Sequence, residues 1–193
     1  MDFLNFIKPG NTIQPGAGKL LIAEPFLQDN NFSRSVVLLC EHGEEGTVGF
    51  ILNHLTELTL GELLPDLSFI KADIYEGGPV QTDTLHILHR IPDVLGGKEI
   101  CQGIYWGGSY DILQEILHDN TYKPENIRLF VGYTGWSPGQ LDKELEEGSW
   151  FVTEMPSASL LQAEPANVWK EAISFLGKEY QYLANMPINP QLN

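Results

Sequence analysis

The chain has 193 residues, 42% hydrophobic and 19% charged, with a formal net charge of −15 from 26 acidic and 11 basic residues. That length reads as one domain able to bury a real core. The charge repels phosphate backbones and anionic lipid, so neither direct nucleic-acid contact nor membrane-surface binding is expected. The arginines are Arg34, Arg90 and Arg128, and no Lys/Arg cluster offsets the acidic field.

In chain order, Asp2 to Ile7 predicts one or two helical turns, ended by Pro9-Gly10. Lys19 to Ala23 predicts a strand. Ser35 to Glu41 contains five consecutive apolar residues and predicts a strand buried on both faces. Gly43 to Gly46 predicts a turn, and Thr47 to Leu52 a strand pairing back as a hairpin. Thr59 to Leu64 predicts a short helix with a T-x-x-E capping box, ended by Pro65. Asp73 to Glu76 and Thr84 to Ile91 predict strands. In the second, Leu85 and Ile87 face one way, His86 and Leu88 the other. Ser109 to Leu117 predicts an amphipathic helix, Arg128 to Val131 a strand, Ser137 to Glu147 a helix and Trp150 to Thr153 the last strand. From Pro165 or Asn167 onward, Trp169, Ala172, Ile173, Leu176, Tyr180 and Leu183 share one face of a long helix. Irregular interleaving of strands and helices indicates α+β rather than a doubly wound sheet.

Cys40 closes an apolar run and is expected to be buried and free. Cys40 and Cys101 do not make a disulfide framework. No basic leader precedes the first apolar residues, and no stretch approaches the roughly 20 apolar residues of a membrane span, so a cytoplasmic location is expected.

Gly135-Trp136-Ser137-Pro138-Gly139 matches the G-x-S-x-G nucleophile elbow. An elbow needs the residue after the serine to donate its N–H to an oxyanion, and Pro138 has none. The last histidine, His118, also precedes the serine. The favoured reading is structural, with Ser137 as N-cap, Pro138 at N1 and Gln140 at N3 of a capping box. His86 and His89 are three apart but point to opposite faces of a strand, and no Cys/His cluster has metal-ligand spacing. Gly77-Gly78 and Gly107-Gly108 are not phosphate-binding fingerprints. Glu44-Glu45 and Glu144, Glu146 and Glu147 read as solvated surface, and the four tryptophans as packing.

Several segments together resemble the AlgH/YqgE family of bacterial proteins. They are Gly18 to Pro25, Asp29 with Phe32 to Val37, Glu41-His42, Gly49 to Asn53, Gly77 to Val80, His89, Gly132 to Leu141, Glu144-Leu145, Gly148 to Trp150, and Trp169, Ala172, Leu176 and Gly177. Their order, from about Pro15 onward, makes the resemblance specific. One departure is His54-Leu55, where the family often has a basic residue and a proline. The resemblance implies an α+β fold whose complex mixed sheet is bifurcated and partly closes into a small barrel, surrounded by helices. It implies no established cofactor, metal or catalytic residue. Some members carry the label of transcriptional regulator, and with this charge any regulation would pass through a protein partner or small ligand.

The first functional reading is therefore a non-enzymatic binding or regulatory protein. Its expected surface draws on Arg34, Glu41, His42, Asn53, Gly77, Gly78, Pro79, His89, Tyr133, Trp136 and Gln140, which packing alone does not demand. The competing reading is that these residues cap, turn and pair to hold the fold. A second functional reading is an enzyme with His42 or His89 as general base and Arg34 orienting an anionic substrate.

Overall fold

A computed structural model describes residues 13–187, apart from 69, 120, 122 and 163. The expected turn at Asp2 to Ile7 lies outside the described residues. Among the described residues, nine strands form one sheet: β1 Leu20–Ala23, β2 Val36–Gly43, β3 Gly46–Ile51, β4 Ile74–Glu76, β5 Val80–His89, β6 Lys98–Cys101, β7 Ile104–Trp106, β8 Ile127–Trp136 and β9 Trp150–Thr153. The helices are α1 Leu60–Leu63, α2 Pro92–Leu95, α3 Tyr110–His118, α4 Gln140–Glu146, α5 Ser157–Leu160 and α6 Pro165–Ser174, with 3₁₀ turns between some of them. The fold is α+β. Among the described residues, no helix is long and apolar enough to cross a membrane.

The strand order is β6-β7-β5-β8-β3-β2-β1-β9, with β4 added beside β8. β8 is the spine. Along Leu129–Val131 it holds β5 on one edge and β4 on the other, and further on, at Thr134–Trp136, it pairs with β3. The sheet forks at this point. To pass from β4 to β5 the chain must cross β8, and it does so through Gly77 and Gly78. The Gly77 N–H donates to the Val131 carbonyl (2.8 Å), and Val80 already pairs with Tyr133. Backbone lies directly on backbone here. A Cβ on Gly77 would stand 2.3 Å from the Gly132 carbonyl oxygen, and one on Gly132 (φ 67°) 2.5 Å from that of Gly78. Only glycine permits this approach.

Three cores follow from the fork. β2 alternates between two of them, with Val36, Leu38 and Cys40 in the central core and Val37 and Leu39 in an outer one. Burial of each such Leu or Val contributes about 1.5–3 kcal/mol. α6 covers the central core with Val168, Trp169, Ala172 and Ile173. α3 closes a second core with Leu113 and Leu117, and α4 the outer one with Leu141. The half-sheets curl until Lys98 of β6 reaches Glu41 of β2 at 2.6 Å. The sheet nevertheless does not close into a barrel, because its end strands, β6 and β9, do not pair with each other.

Several expectations need correction. β8 runs on past Val131 to Trp136. The C-terminal helix stops at Ser174, Gly177 turns the chain with φ 123°, and a 3₁₀ stretch follows at Lys178–Asn185. Tyr180 and Leu183 are still buried. The helix after β8 begins at Gln140 with Gly139, not Ser137, as its N-cap. Ser137 instead opens a turn in which Pro138 precedes Gly139 (φ 74°, ψ −5°), and the Gln140 N–H donates to the Ser137 carbonyl at 2.9 Å. Pro-Gly at the centre of a turn is the type II signature. Half of the expected box does form: Gln140 Oε1 accepts the Ser137 N–H at 3.0 Å.

Candidate functional site

The residues singled out in the sequence fall into separate places. Arg34 and Asn53 meet at the start of β2. Arg34 has a left-handed backbone, φ 53°. Asn53 holds it by donating from Nδ2 to the Arg34 carbonyl (2.9 Å) and accepting the Val36 N–H at Oδ1 (2.8 Å). The Arg34 guanidinium lies 4.4 Å over the Trp169 ring and donates to the Met186 carbonyl at 2.6 Å. Beside them the His54 Nε2 is 3.2 Å from the buried Ser35 hydroxyl. Burial lowers the pKa of both Arg34 and His54. These groups tie the start of β2 to Asn53, just past the end of β3, and to Met186.

His89 is fully buried. Its Nε2 donates to the Gly107 carbonyl (3.0 Å), its Nδ1 accepts the Ile91 N–H (3.2 Å), and burial lowers its pKa. Both ring nitrogens are in use, so it has none for a substrate. Gly77 and Gly78 make the strand crossing, with exposed Pro79 just after them. His42 sits at the other end of β2 from Arg34. The two are eight residues apart, roughly 26 Å along a strand. A base at His42 or His89 and a guanidinium at Arg34 therefore do not share one small substrate.

Glu41, Tyr133, Trp136 and Gln140 do come together, where the β2–β3 hairpin meets the end of β8. β8 carries Tyr133 and Trp136 there because Thr47 pairs with Trp136 and Val48 with Gly135. Two hollows flank this corner and share Gly135 and Trp136 as a common wall. The larger, 390 Å³, is bordered by Glu41, Glu45, Thr47, Tyr133, Ser137 and Pro138. His42 Nδ1 lies 2.7 Å from the buried Thr47 hydroxyl beneath it. The smaller, 280 Å³, is lined by Phe32, Trp136 and Trp150, with Asp29, Gln140 and Glu144.

Glu144 organises the smaller hollow. Its Oε2 accepts the indole N–H of Trp136 and of Trp150, both at 2.8 Å, and its Oε1 accepts the Gln140 amide at 2.9 Å. Phe32 lies nearly parallel to Trp136 (25°, 6.1 Å) and edge-on to Trp150 (77°, 5.4 Å). Glu144 is thus not a solvated surface carboxylate, and the sequence contained a signal for it. A buried indole N–H needs an acceptor, and Gln140 and Glu144, four apart, share one helix face. Among the described residues, no set of three or more His, Cys, Asp and Glu side chains converges as metal ligands.

A third hollow, 390 Å³, lies between β4, β8 and the start of α6. Its Arg128 is 5% exposed, donates to the Leu52 (3.0 Å) and Leu161 (2.9 Å) carbonyls, and lies 4.5 Å over Tyr75. It pins backbone, as Arg34 does.

Comparison with known proteins agrees with this architecture. The AlgH-like family model (DUF179) matches residues 20–181. A UPF0301 protein of Chlorobium luteolum is 42% identical over 178 residues, covering 92% of this chain and 94% of its own. One from Bacteroides thetaiotaomicron is 37% identical over 184 residues, with coverage of 95% and 94%. The solution structure of AlgH from Pseudomonas aeruginosa superposes with a TM-score of 0.71 at 30% identity, covering 92% of this chain and 98% of that one. A crystal structure from Corynebacterium diphtheriae shares the fold, with a TM-score of 0.77 at 23% identity and coverage of 94% and 97%. With a family match across most of the chain and relatives aligned almost end to end, the chain belongs to the AlgH-like UPF0301 family.

Proposed function

We propose that this is a non-enzymatic binding protein, regulatory in effect, whose contact surface for a protein partner or small ligand is the double hollow about Gly135 and Trp136. The observation that carries the reading is the sorting of the polar residues. Arg34, Asn53 and His89 turn inward onto backbone, whereas Glu41, Tyr133, Trp136 and Gln140 gather around one concave corner. Concave sites with fixed aromatic walls and a few directed polar groups are where ligands bind. Both cysteines are free, Cys40 buried and Cys101 half-buried, which supports a reducing, cytoplasmic setting.

A thermal-shift screen of metabolites and short peptides tests the reading. A ligand at 100 times its Kd adds about 2.7 kcal/mol of stability. Gly135 lacks a positive φ, and a Cβ there meets nothing closer than 3.4 Å, so Gly135→Leu should fold while filling the larger hollow beside Tyr133. Ligands should protect the wild type and not this variant. Equal protection of both would place binding elsewhere and sink the reading.

A further inference from the structure

Neither hollow has a lysine or arginine in its wall. The smaller sets the carboxylates of Asp29 and Glu144 beside three aromatic rings. The larger carries Glu45, which is exposed, and Glu41, which already pairs with Lys98. The rings cannot turn freely, because each indole N–H ends on Glu144. Trp150 stands across Trp136 at 82° and across Phe32 at 77°. Phe32 is the half-buried ring of the three, with Trp136 and Trp150 5% and 4% exposed behind it. An aromatic wall next to carboxylates suits a guanidinium, which is planar, weakly hydrated, stacks on rings and forks onto carboxylates. Glu144 has given three of about four acceptor positions to its own neighbours. Asp29 is then the main partner left, with Oδ1 in a local turn to the Asn31 N–H (2.8 Å) and Oδ2 remaining.

The smaller cavity measures 280 Å³. Its neighbour lies across the Gly135–Trp136 backbone, walled by Tyr133, which packs on the central core, whereas Trp136 belongs to the outer one. A chain of net charge −15 draws a basic segment in.

We infer that the smaller hollow docks a basic segment of a protein partner, with one arginine guanidinium in the Phe32–Trp136–Trp150 cavity beside Asp29. This rests on the binding reading above and names its partner class.

The test follows the four tryptophan indole signals in NMR spectra of the ¹⁵N-labelled protein at constant ionic strength. The probes are Ac-Arg-Gly-Arg-NH₂, Ac-Glu-Gly-Glu-NH₂ and tetramethylammonium chloride. The arginine peptide should shift Trp136 and Trp150 saturably and leave Trp106 and Trp169 in place. Asp29→Asn should weaken it about tenfold. Silence at millimolar peptide, or equal shifts from the acidic peptide, overturns the inference. Equal affinity for tetramethylammonium also overturns it, by assigning the cavity to small organic cations. If screened ligands protect the wild type but not Gly135→Leu while the arginine peptide is silent, this inference fails and the binding reading stands.

Discussion

The two ends of β2 carry polar residues of similar appearance and put them to opposite use. At the Arg34 end, a left-handed residue is clamped by Asn53, covered by Trp169 and tied to the Met186 carbonyl. At the Glu41 end, carboxylates and aromatic rings border open hollows next to the last residues of β8. The difference lies in what each side chain meets across the sheet. The first end faces a C-terminal segment with backbone carbonyls to satisfy. The second faces a turn, Ser137 to Gln140, which satisfies its own backbone and leaves room. A polar residue in a strand is thus a candidate for function only once its partners are known.

The sharpest way to break this contrast is at Glu144, the one place where the open end is bonded like the closed one. Glu144→Ala strands two buried indole N–H groups and should cost about 2–4 kcal/mol in denaturant unfolding, while Glu144→Gln keeps an acceptor oxygen and should lose less. A cost of a few tenths for the alanine variant would mean that the rings do not depend on it. At the closed end, Asn53→Ala removes both bonds that hold Arg34 in its left-handed conformation and should cost about 2 kcal/mol. A similar loss from Glu41→Ala, whose ion pair is exposed, would erase the distinction between the ends.

Acid should act on the closed end. Burial lowers the pKa of His54 from its usual 6.5, so the folded protein holds it neutral while the unfolded chain takes up a proton. Its contribution is present above about pH 6.5 and is lost as pH falls through the folded value. His86 and His89, lowered by burial too, add in the same direction. His54→Gln should flatten the fall measured between pH 7 and 5; an unchanged slope would remove His54 from the account. The smallest effect belongs to Ser137. With Gly139 as the N-cap, Ser137→Ala should change stability by under about 0.5 kcal/mol. A loss of 1 kcal/mol or more would restore the serine as a cap.

Much of the frame was legible because its signals are local. The apolar run of β2 announced burial on both faces, and alternation in β5 assigned Ile87 and Leu88 to different cores. α2, β6 and β7 escaped because each spans three or four residues, punctuated by Gly96, Gly97 and Gly103, too short for a period to show. The C-terminal periodicity marked the right buried face across a break at Gly177, since a 3₁₀ stretch can continue the same stripe. At the site, Trp136 and Gln140 were found through their motif. Glu144 and Trp150 were not, because their meeting depends on how α4 lies against β9.

The fork at Gly132 also bears on the order in which the chain becomes structured. β8 bonds to β3, β4 and β5, yet is synthesised after all three, and β1 waits for β9. The meander β1-β2-β3 can pair as it emerges from the ribosome, but its joining to β5 must wait for β8. Until Trp136 is out, β3 and β5 present unsatisfied edges, the feature that invites intermolecular pairing. Pairings this distant along the chain place folding in the slow, millisecond-to-second class. With glycine at Gly77, Gly78 and Gly132, no side chain stands at the junction that this late strand must complete.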